Sequence, residues 1–472
     1  MTSATLAICG ATVVTPEGAE VASVVVEGET IVDILPGKTT PNADHVIDAT
    51  GKIVLPGGVD AHTHFLIGFM GQRSVYDFFE GSVAALRGGT TSFVDFALQR
   101  RGRSMMDGLK HRRVQADGHT AADYGLHLIV TDVNSSTLAE IPELIKAGMT
   151  TFKAYMVYET EQLRVPDGPL IELMEAAGKA GMMVGLHAEN SSIIDHLTKQ
   201  ALEAGHKSPP YHALTRPPIS EHEAIVRALT LAESADVAVH IFHMSLGSGV
   251  DAIAAARACG VKAFSETCTH YLALTDDKYA GSEPWLYVMS PPLRKADDQD
   301  RLWEGLRQGL VSTVTSDDAS YSRAAKEMNK DSFDTIANGC PGVEMRLPLL
   351  YTLGVEAGRL TLPELAEIFA TRPARLFGLA PRKGAIQPGA DADIVIIDPE
   401  QRTRLSAKSN YGPIGYTPFE GIEVCGLPCQ TIRRGEIVVD NGAFMGQEGD
   451  GRYIHRSLPD TTFSTSDVDQ KL

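Results

Sequence analysis

The 472-residue sequence has few cysteines, no long apolar run and a deficit of basic residues. Its six cysteines are scattered along the chain, which argues against a disulfide framework and predicts reduced thiols. No apolar stretch approaches the roughly twenty residues that a membrane helix requires. Residues 1–30 lack the basic start and apolar block of a signal peptide. These absences predict a cytoplasmic protein without a membrane partner.

Lysine and arginine total 42, against 60 aspartates and glutamates, which gives a formal net charge of -18. Binding to nucleic acid or to an anionic membrane surface requires clustered basic side chains, and none is visible. The charge balance therefore predicts no nucleic-acid partner and favours a small neutral ligand. With 43% hydrophobic residues, the chain is long enough for one large domain and a smaller one.

The pattern of apolar segments predicts an α/β fold with two parts. Residues 1–52 contain short strand-like segments separated by turns with proline and glycine. Across residues 53–384, about eight short apolar segments alternate with amphipathic stretches, as in parallel βαβ units. No Gly-x-Gly-x-x-Gly motif follows the first strand, so a (β/α)8 TIM-like barrel is favoured over an open sheet.

Strand-like segments return at residues 385–456. The two ends of the chain are therefore predicted to form one smaller composite β-sandwich domain, made of residues 1–52 and 385–456. Residues 457–472 are polar and are expected to form a C-terminal tail.

The first chemical motif is Asp60-Ala61-His62-Thr63-His64, which follows an apolar run and a Pro-Gly-Gly turn. In an extended strand, residues i and i+2 point to the same side, so His62 and His64 would present two imidazoles together, with Asp60 beside them. Such a pair is as often structural as metal-binding. Its meaning depends on ligands that come later in the chain.

Four polar residues follow or end later apolar segments: Lys153, His187, His243 and Asp317. The chemistry of a barrel lies at the carboxyl ends of its strands, so these side chains are predicted to meet His62 and His64. Imidazole and carboxylate groups suit Zn²⁺, Mn²⁺ or Fe²⁺. An ammonium group beside cations is unfavourable, so Lys153 is neutral, remote from the site, or converted by CO₂ to a carbamate that supplies two oxygens.

Several motifs in order resemble the dihydropyrimidinase/hydantoinase branch of the amidohydrolase superfamily, over about residues 5–456. They lie at residues 56–64, 148–156, 187–190, 243–245, 266–272, 290–294, 338–344 and 383–384. The resemblance implies a metal-dependent cyclic amidase that opens hydantoins or dihydropyrimidines to N-carbamoyl amino acids. It also implies two divalent metal ions, Zn²⁺ first and Mn²⁺ or Fe²⁺ as alternatives, and a homotetramer or homodimer.

Carried over to this sequence, the resemblance implies a role for each candidate residue. His62, His64, carbamylated Lys153 and Asp317 would bind one metal ion. Lys153, His187 and His243 would bind the other, with a hydroxide between the two. The Tyr158 hydroxyl would stabilise the oxyanion, and Asp317 would transfer the proton. Ser290 and Asn338 would hold the cyclic substrate, largely through main-chain groups. Among the apolar residues just past His64, either a loop contacts the ring substituent or the side chains pack the mouth of the barrel; these residues are Phe65, Leu66, Ile67, Phe69 and Met70.

One departure from the family pattern and three alternative activities keep other interpretations open. Asp318 stands where hydantoinases commonly have a histidine, and a second carboxylate there could alter the pKa of Asp317. An allantoinase or a cyclic imide hydrolase of the same superfamily is the nearest alternative, and a non-catalytic dihydropyrimidinase-like assembly protein is less favoured. An unrelated barrel lyase that forms a Schiff base on Lys153 would need no metal.

Overall fold

The computed structural model describes residues 4–69 and 71–462 of the chain. Met70, one of the apolar residues expected near the substituent, lies outside the described residues, as does most of the predicted tail. The described part of that tail packs against the same chain, where the Asp460 carboxylate pairs with Arg375 at 2.9 Å. No helix in the described ranges is long and apolar enough to cross a membrane.

The described ranges contain nineteen strands. They are β1 (Ala4–Thr15), β2 (Gly18–Glu27), β3 (Thr30–Pro36), β4 (Ala43–Asp48), β5 (Ile53–Pro56), β6 (Gly58–Asp60), β7 (Gly68–Phe69), β8 (Gln72–Arg73), β9 (Thr90–Leu98), β10 (Asp123–Ile129), β11 (Thr151–Tyr155), β12 (Met183–His187), β13 (Ala238–Ile241), β14 (Ala263–Cys268), β15 (Thr313–Thr315), β16 (Ile394–Arg404), β17 (Glu423–Arg433), β18 (Glu436–Asp440) and β19 (Ala443–Phe444).

The same ranges contain fifteen α-helices. They are α1 (Phe78–Arg87), α2 (Met105–Ala116), α3 (Ser135–Leu138), α4 (Ile141–Lys146), α5 (Asp167–Lys179), α6 (Ser191–Glu203), α7 (Tyr211–Thr215), α8 (Pro218–Ala235), α9 (Gly247–Ala258), α10 (Thr269–Ala273), α11 (Ala296–Arg307), α12 (Arg323–Met328), α13 (Arg346–Leu350), α14 (Leu362–Ala366) and α15 (Arg372–Leu376). Short 3-10 helices add Asp276–Ala280, Pro284–Tyr287, Val343–Met345 and Ala407–Ser409, and π-helical turns add Tyr351–Glu356 and Glu367–Thr371.

The barrel is an eight-stranded parallel sheet in the order β15-β14-β13-β12-β11-β10-β9-β6. Its strands are buried along almost their whole length, which explains why they read as apolar runs instead of alternating patterns. The ring closes just beyond the first and last strands, where Thr63 bridges Asp318 and the His64 amide donates to the Asp318 carbonyl at 2.8 Å. The predicted barrel is confirmed.

The second sheet has nine strands, drawn from both ends of the chain. The strand β5 joins the two ends, because it pairs in parallel with β1 and antiparallel with β16. This strand, Ile53–Pro56, lies in the second sheet, although the sequence pattern grouped it with the barrel. The separate sheet built from the two terminal segments was expected.

A buried charge cluster joins the second sheet to the amino-terminal end of the barrel. Lys383 Nζ lies 2.7 Å from a carboxylate oxygen of Asp123, at the start of β10, and 2.7 Å from one of Asp393, just before β16. The Arg434 guanidinium also pairs with Asp123. Every buried charge in this cluster therefore faces an opposite charge, at the end of the barrel away from the strand ends that carry the site.

Candidate metal centre

A cleft of about 410 Å³ opens at the carboxyl ends of the barrel strands. Its wall includes eight of the nine residues that the sequence marks as a candidate site, and the ninth, His62, lies directly behind. The eight are His64, Lys153, Tyr158, His187, His243, Ser290, Asp317 and Asn338. Residues from seven different parts of the chain thus converge on one volume.

His62 and His64 lie just beyond β6, which ends at Asp60, and not within an extended strand as the spacing predicts. Their rings still meet, with Nε2 atoms 3.1 Å apart. The Asp60 side chain turns away from them: one oxygen accepts from the Ser316 amide at 3.2 Å, and the other lies 3.6 Å from Arg346. The two histidines therefore share a site that Asp60 supports from behind.

Asp317 lies against both of these histidines. Its Oδ1 atom is 3.1 Å from His62 Nε2 and 3.4 Å from His64 Nε2. Candidate ligand atoms of His62, His243 and Asp317 all lie within 4.8 Å of one another. Burial alone would raise the pKa of Asp317, but the His64 hydrogen bond and charge outweigh it and lower that pKa. The carboxylate is therefore ionised at neutral pH.

Lys153 projects into the centre of this group from the middle of β11. It is 1% exposed, and its Nζ atom lies 3.0 Å from His62 Nε2. Aromatic rings of Phe96 and Phe242 face the amine at 4.2 and 4.8 Å. Within the described ranges, it forms no ion pair with a carboxylate. Burial lowers the pKa of Lys153 to about 8, so its neutral form, which reacts with CO₂, is accessible near neutrality.

His187 ends β12, and its ring lies 4.3 Å from that of His243, between centroids. The Nε2 atom of His187 contacts the Glu189 carboxylate at 2.7 Å, and Arg216 donates to the same oxygen at 2.6 Å. Within the described residues, the buried Nδ1 atom of His243 has no hydrogen-bond partner. Burial lowers the pKa of both imidazoles, so both are neutral and able to act as ligands.

Glu266 and Glu189 contact two candidate ligands, His62 and His187, and the strand-end argument did not select them. Glu266 contacts His62 Nδ1 and lies 3.1 Å from His240 Nε2, which fixes the His62 ring with Nε2 toward the cleft. It follows the predicted strand at residues 261–265 as a polar strand end. The same rule that selected His187 would have selected it. Glu189 carries a weaker signal, because it lies two residues beyond β12.

Close packing behind the amine depends on a glycine in β12. A Cβ atom on Gly185 would meet the Phe242 ring at 2.1 Å. Phe242 in turn packs against the His62 ring at 4.8 Å between centroids and against the Lys153 amine. The glycine therefore lets an apolar wall close around Lys153 and exclude water from it.

Tyr158, Ser290 and Asn338 form the opposite side of the cleft. The Asn338 amide donates to Ser290 Oγ at 3.2 Å, and the Tyr158 ring lies 5.3 Å from that of His187. Burial raises the pKa of Tyr158, although Arg216, Ser290 and Asn338 oppose the change. Tyr158 is therefore a protonated donor at neutral pH.

Left-handed backbone conformations cluster around this cleft. Tyr158, His243, Asp317 and Leu66 have φ values of 69°, 37°, 47° and 53°. A non-glycine residue in this region costs on the order of 1–3 kcal/mol, which the surrounding fold must offset. Three of the four are candidate site residues. The fold therefore holds these side chains in place although their backbone conformations are unfavourable.

The structure shows where the Asp318 carboxylate and the apolar residues after His64 lie relative to the cleft. The Asp318 carboxylate points away from the cleft, where Oδ2 accepts from the Gly342 and Val343 amides at 2.8 and 3.1 Å. Of the apolar residues at 65–69, Leu66, Ile67 and Phe69 line the cleft. Phe65 is buried against Phe93 with centroids 5.1 Å apart.

The donor set fits divalent metal ions. Neutral imidazoles and one carboxylate match the ligands that Zn²⁺, Mn²⁺ and Fe²⁺ accept, and a carbamate on Lys153 would add an anionic bridge. The unpartnered His243 nitrogen and the buried amine without a carboxylate are groups that a metal centre would satisfy.

Comparison with known proteins agrees with this site. Residues 53–438 match the model of the amidohydrolase family. The chain is 41% identical to a D-hydantoinase of Geobacillus stearothermophilus over 90% of each chain. It is 39% identical to a D-hydantoinase of Ralstonia pickettii over 94% of this chain and 97% of the other. A dihydropyrimidinase structure from Brevibacillus agri superposes with a TM-score of 0.94 at 39% identity, covering 96% of this chain and 99% of that one.

Proposed function

The chain belongs to the amidohydrolase family, and on that basis we propose that it hydrolyses a ring amide of hydantoins or dihydropyrimidines to give N-carbamoyl amino acids. It is a hydrolase of cyclic amide bonds. The observation that carries the proposal is the convergence of His62, His64, Lys153 and Asp317 at one buried point, with Lys153 Nζ 3.0 Å from His62 Nε2.

The proposed metal ligands form two groups that share one residue. His62, His64, Lys153 and Asp317 would hold one divalent ion, and Lys153, His187 and His243 would hold the other, with Lys153 carbamylated. Zn²⁺ is the expected ion, and Mn²⁺ or Fe²⁺ would suit the same donors. Bound there, the ions would lower the pKa of a water held between them and polarise the ring carbonyl.

Two side chains supply the proton and hydrogen-bond chemistry. Asp317 is ionised, because the effect of His64 on its pKa outweighs burial, so it accepts a proton from the attacking water. It then delivers that proton to the departing ring nitrogen, and the ring opens. Tyr158 remains protonated because burial raises its pKa, and its hydroxyl donates to the carbonyl oxygen as negative charge develops.

The wall of the cleft opposite the proposed metal ligands orients the substrate. Ser290 and Asn338, whose side chains are joined by a 3.2 Å hydrogen bond, hold the cyclic amide unit, largely through main-chain groups. Leu66, Ile67 and Phe69 contact the substituent on the ring. The aromatic rings of Phe96 and Phe242 beside Lys153 lower the local polarity, which strengthens polar interactions there.

A cyclic imide hydrolase or an allantoinase would use the same metal centre, so parallel assays separate them. The purified chain, incubated with Zn²⁺ or Mn²⁺ and bicarbonate, should open dihydrouracil or a 5-substituted hydantoin faster than succinimide or allantoin. Metal analysis should find about two ions per chain. Absence of ring opening with any of the four compounds after metal loading would contradict the proposal. An assembly protein would give that result, and borohydride trapping on Lys153 would instead indicate a Schiff-base lyase.

Location and assembly complete the proposal. A cytoplasmic location is proposed, because six cysteines scattered along the chain predict reduced thiols. The partner is a small cyclic amide, not a nucleic acid or a membrane. A homotetramer or a homodimer is proposed from the family resemblance, and sedimentation analysis of the full chain would test it.

A further inference from the structure

The helix α12 carries a lysine that no catalytic step uses. Lys326 is 0% exposed, and its Nζ atom donates to the Val288 carbonyl oxygen at 2.6 Å. In the described ranges, Lys326 forms no ion pair. A buried ammonium without a carboxylate is costly, and an apolar side chain of similar volume would fill the same space at lower cost. The conspicuous feature is therefore the hydrogen bond to Val288.

The Val288 carbonyl joins two walls of the cleft. The Gly339 amide donates to the same oxygen at 3.1 Å. Val288 lies two residues before Ser290, and Gly339 directly follows Asn338. One carbonyl, bound by one ammonium group and one amide, thus ties together the two segments that would hold the cyclic amide.

Other contacts fix these segments at short range. His212 Nε2 lies 2.8 Å from the Met289 carbonyl oxygen and 3.4 Å from Ser290 Oγ. A Cβ atom on Gly339, whose φ is +130°, would meet Ala319 Cβ at 2.6 Å, so the Asn338 segment also presses against the loop that follows Asp317. Small displacements of Val288 would therefore change the distance between Ser290 and Asn338.

The helix itself does not depend on Lys326 for its position. Ser322 caps its amino terminus by accepting from the Ala325 amide at 3.1 Å. The Arg323 amide donates to the Ile414 carbonyl at 2.8 Å, and the Arg323 side chain pairs with Glu283 and with Glu327. The first turn of α12 is held by these other contacts. The Lys326 hydrogen bond is therefore not needed to position the helix, and it restrains Val288.

We propose that Lys326 is a positioning residue for substrate binding, which sets the spacing of the Ser290 and Asn338 segments through the Val288 carbonyl. This inference rests on the proposed function of those two segments. It assigns Lys326 no contact with substrate or metal. It predicts an effect on substrate affinity that is separate from the chemical step.

The charge state of Lys326 does not limit this role. Burial lowers the pKa of Lys326 to about 7, with Cys340 opposing the change. A neutral amine still carries N–H donors, so the hydrogen bond to Val288 persists when the proton is lost. The proposed role therefore does not require a buried positive charge above neutral pH.

The test is a comparison of Lys326→Met, Lys326→Gln and Lys330→Met in the metal-loaded, full-length enzyme. Misplacement of a binding group by about 1 Å can cost roughly a hundredfold, so Lys326→Met should raise KM by roughly tenfold to a hundredfold. Its kcat should change by less than about threefold, because the proposed catalytic groups are untouched. Lys326→Gln keeps an N–H donor, so its KM should lie between those of the wild type and Lys326→Met.

Lys330 is the matched control, because it is an exposed lysine in the same segment, 5.0 Å from the Trp285 ring. Its substitution should leave both kinetic constants within about twofold. A Lys326→Met protein with unchanged KM would overturn the inference, even if its apparent kcat fell because less of the enzyme was folded. So would a Lys326→Gln protein with a KM no lower than that of Lys326→Met.

A crystal structure of Lys326→Met provides a readout that does not depend on activity. The 3.2 Å contact between Asn338 and Ser290 should lengthen or break. An unchanged contact would overturn the inference even if the enzyme acted on another substrate class. Failure of the wild-type chain to open any ring would instead count against the proposed function, with the structural comparison still deciding the role of Lys326.

Discussion

Two buried lysines at opposite ends of the barrel differ in whether a carboxylate pairs with them. Lys383, 2% exposed, lies within 3.0 Å of carboxylate oxygens on Asp123, Asp391 and Asp393. Lys153, 1% exposed, has aromatic rings and the His62 nitrogen around it and no ion-pair partner in the described part of the chain. The pKa of Lys383 is raised by its aspartates, which outweigh burial, and burial lowers the pKa of Lys153 to about 8.

The difference separates a structural site from a functional one. At the end that faces the second sheet, each charge has its counter-charge, and the cluster joins the two sheets. At the other end, an amine and a histidine nitrogen are left for a ligand to satisfy, and backbone strain collects at Tyr158, His243 and Asp317. The first end should therefore govern stability and the second activity.

The sharpest test of this division is Lys153→Met. A catalytic metal ion contributes several kcal/mol of transition-state stabilisation, and about 1.4 kcal/mol is tenfold in rate, so activity should fall at least about a thousandfold. Stability should not fall in parallel, because the substitution removes an unpaired buried amine. Turnover, metal content and thermal unfolding of the variant measure these outcomes. Retained activity, or loss of the folded structure, would contradict the claim that Lys153 serves activity and Lys383 stability.

The reciprocal substitution is Lys383→Met. Removing one partner of a buried ion pair costs about 3–5 kcal/mol, because the aspartates are left uncompensated. Denaturant unfolding should show that loss, and activity per folded molecule should stay within about threefold. If the variant does not fold, Asp391→Asn is the milder change, since it removes the longest of the three Lys383 contacts, at 3.0 Å, and the more exposed Arg382 pair at 2.8 Å. A stable but inactive Lys383→Met protein would contradict the comparison.

Acid unfolding tests the same cluster. Lys383 and Arg434 outweigh burial and lower the pKa of Asp123 to about 2. A carboxyl whose folded pKa is depressed stabilises the fold above its unfolded pKa of about 3.9, and this contribution is lost as pH falls toward the folded value. Unfolding curves from pH 5 to pH 2 should therefore show a steeper loss in the wild type than in Asp123→Asn.

Tyr158→Phe should change catalysis and leave metal binding unaltered. Removing one donor to a developing oxyanion costs about 10²–10³ in kcat. Tyr321→Phe is the control, because Tyr321 lines the same cleft and its hydroxyl has no hydrogen-bond partner among the described residues. Steady-state kinetics should show a loss for Tyr158→Phe alone. Equal losses would mean that the cleft responds to shape and not to a specific hydroxyl.

Glu189→Gln should have an intermediate effect. Glu189 orients His187 through a 2.7 Å contact, and loss of such a partner costs about 10–100-fold in metal affinity or activity. Competitive chelation should extract metal from this variant first, with activity restored by added Zn²⁺. A metal affinity equal to that of the wild type would show that Glu189 does not support the metal centre.

The smallest effect should come from Asp318→Asn, although Asp318 adjoins Asp317. An asparagine oxygen can still accept from the Gly342 and Val343 amides, so activity should stay within about threefold and stability within about 1 kcal/mol. Kinetics and unfolding measure both. A large loss of kcat would show that the Asp318 charge acts on the catalytic step.

Much of this arrangement could be predicted from sequence, because parallel strands leave a period in the apolar residues and collect polar side chains at one end. Lys153, His187, His243 and Asp317 were selected by that rule. Side-chain direction was harder to predict: Asp60 and Asp318 both turn away from the cleft, through contacts with Arg346 and with the Gly342 and Val343 amides. Lys326 gave no signal, because its acceptor is a main-chain carbonyl 38 residues away.

The central claim is that Lys153 completes a centre of two metal ions, and electron density at its side-chain end tests this claim most directly. Crystals grown with Zn²⁺ and bicarbonate should show a carbamate on Nζ between two anomalous peaks about 3.5–4 Å apart. One peak should contact His62, His64 and Asp317, and the other His187 and His243. An unmodified amine in crystals with the metal bound elsewhere or not at all would contradict the account.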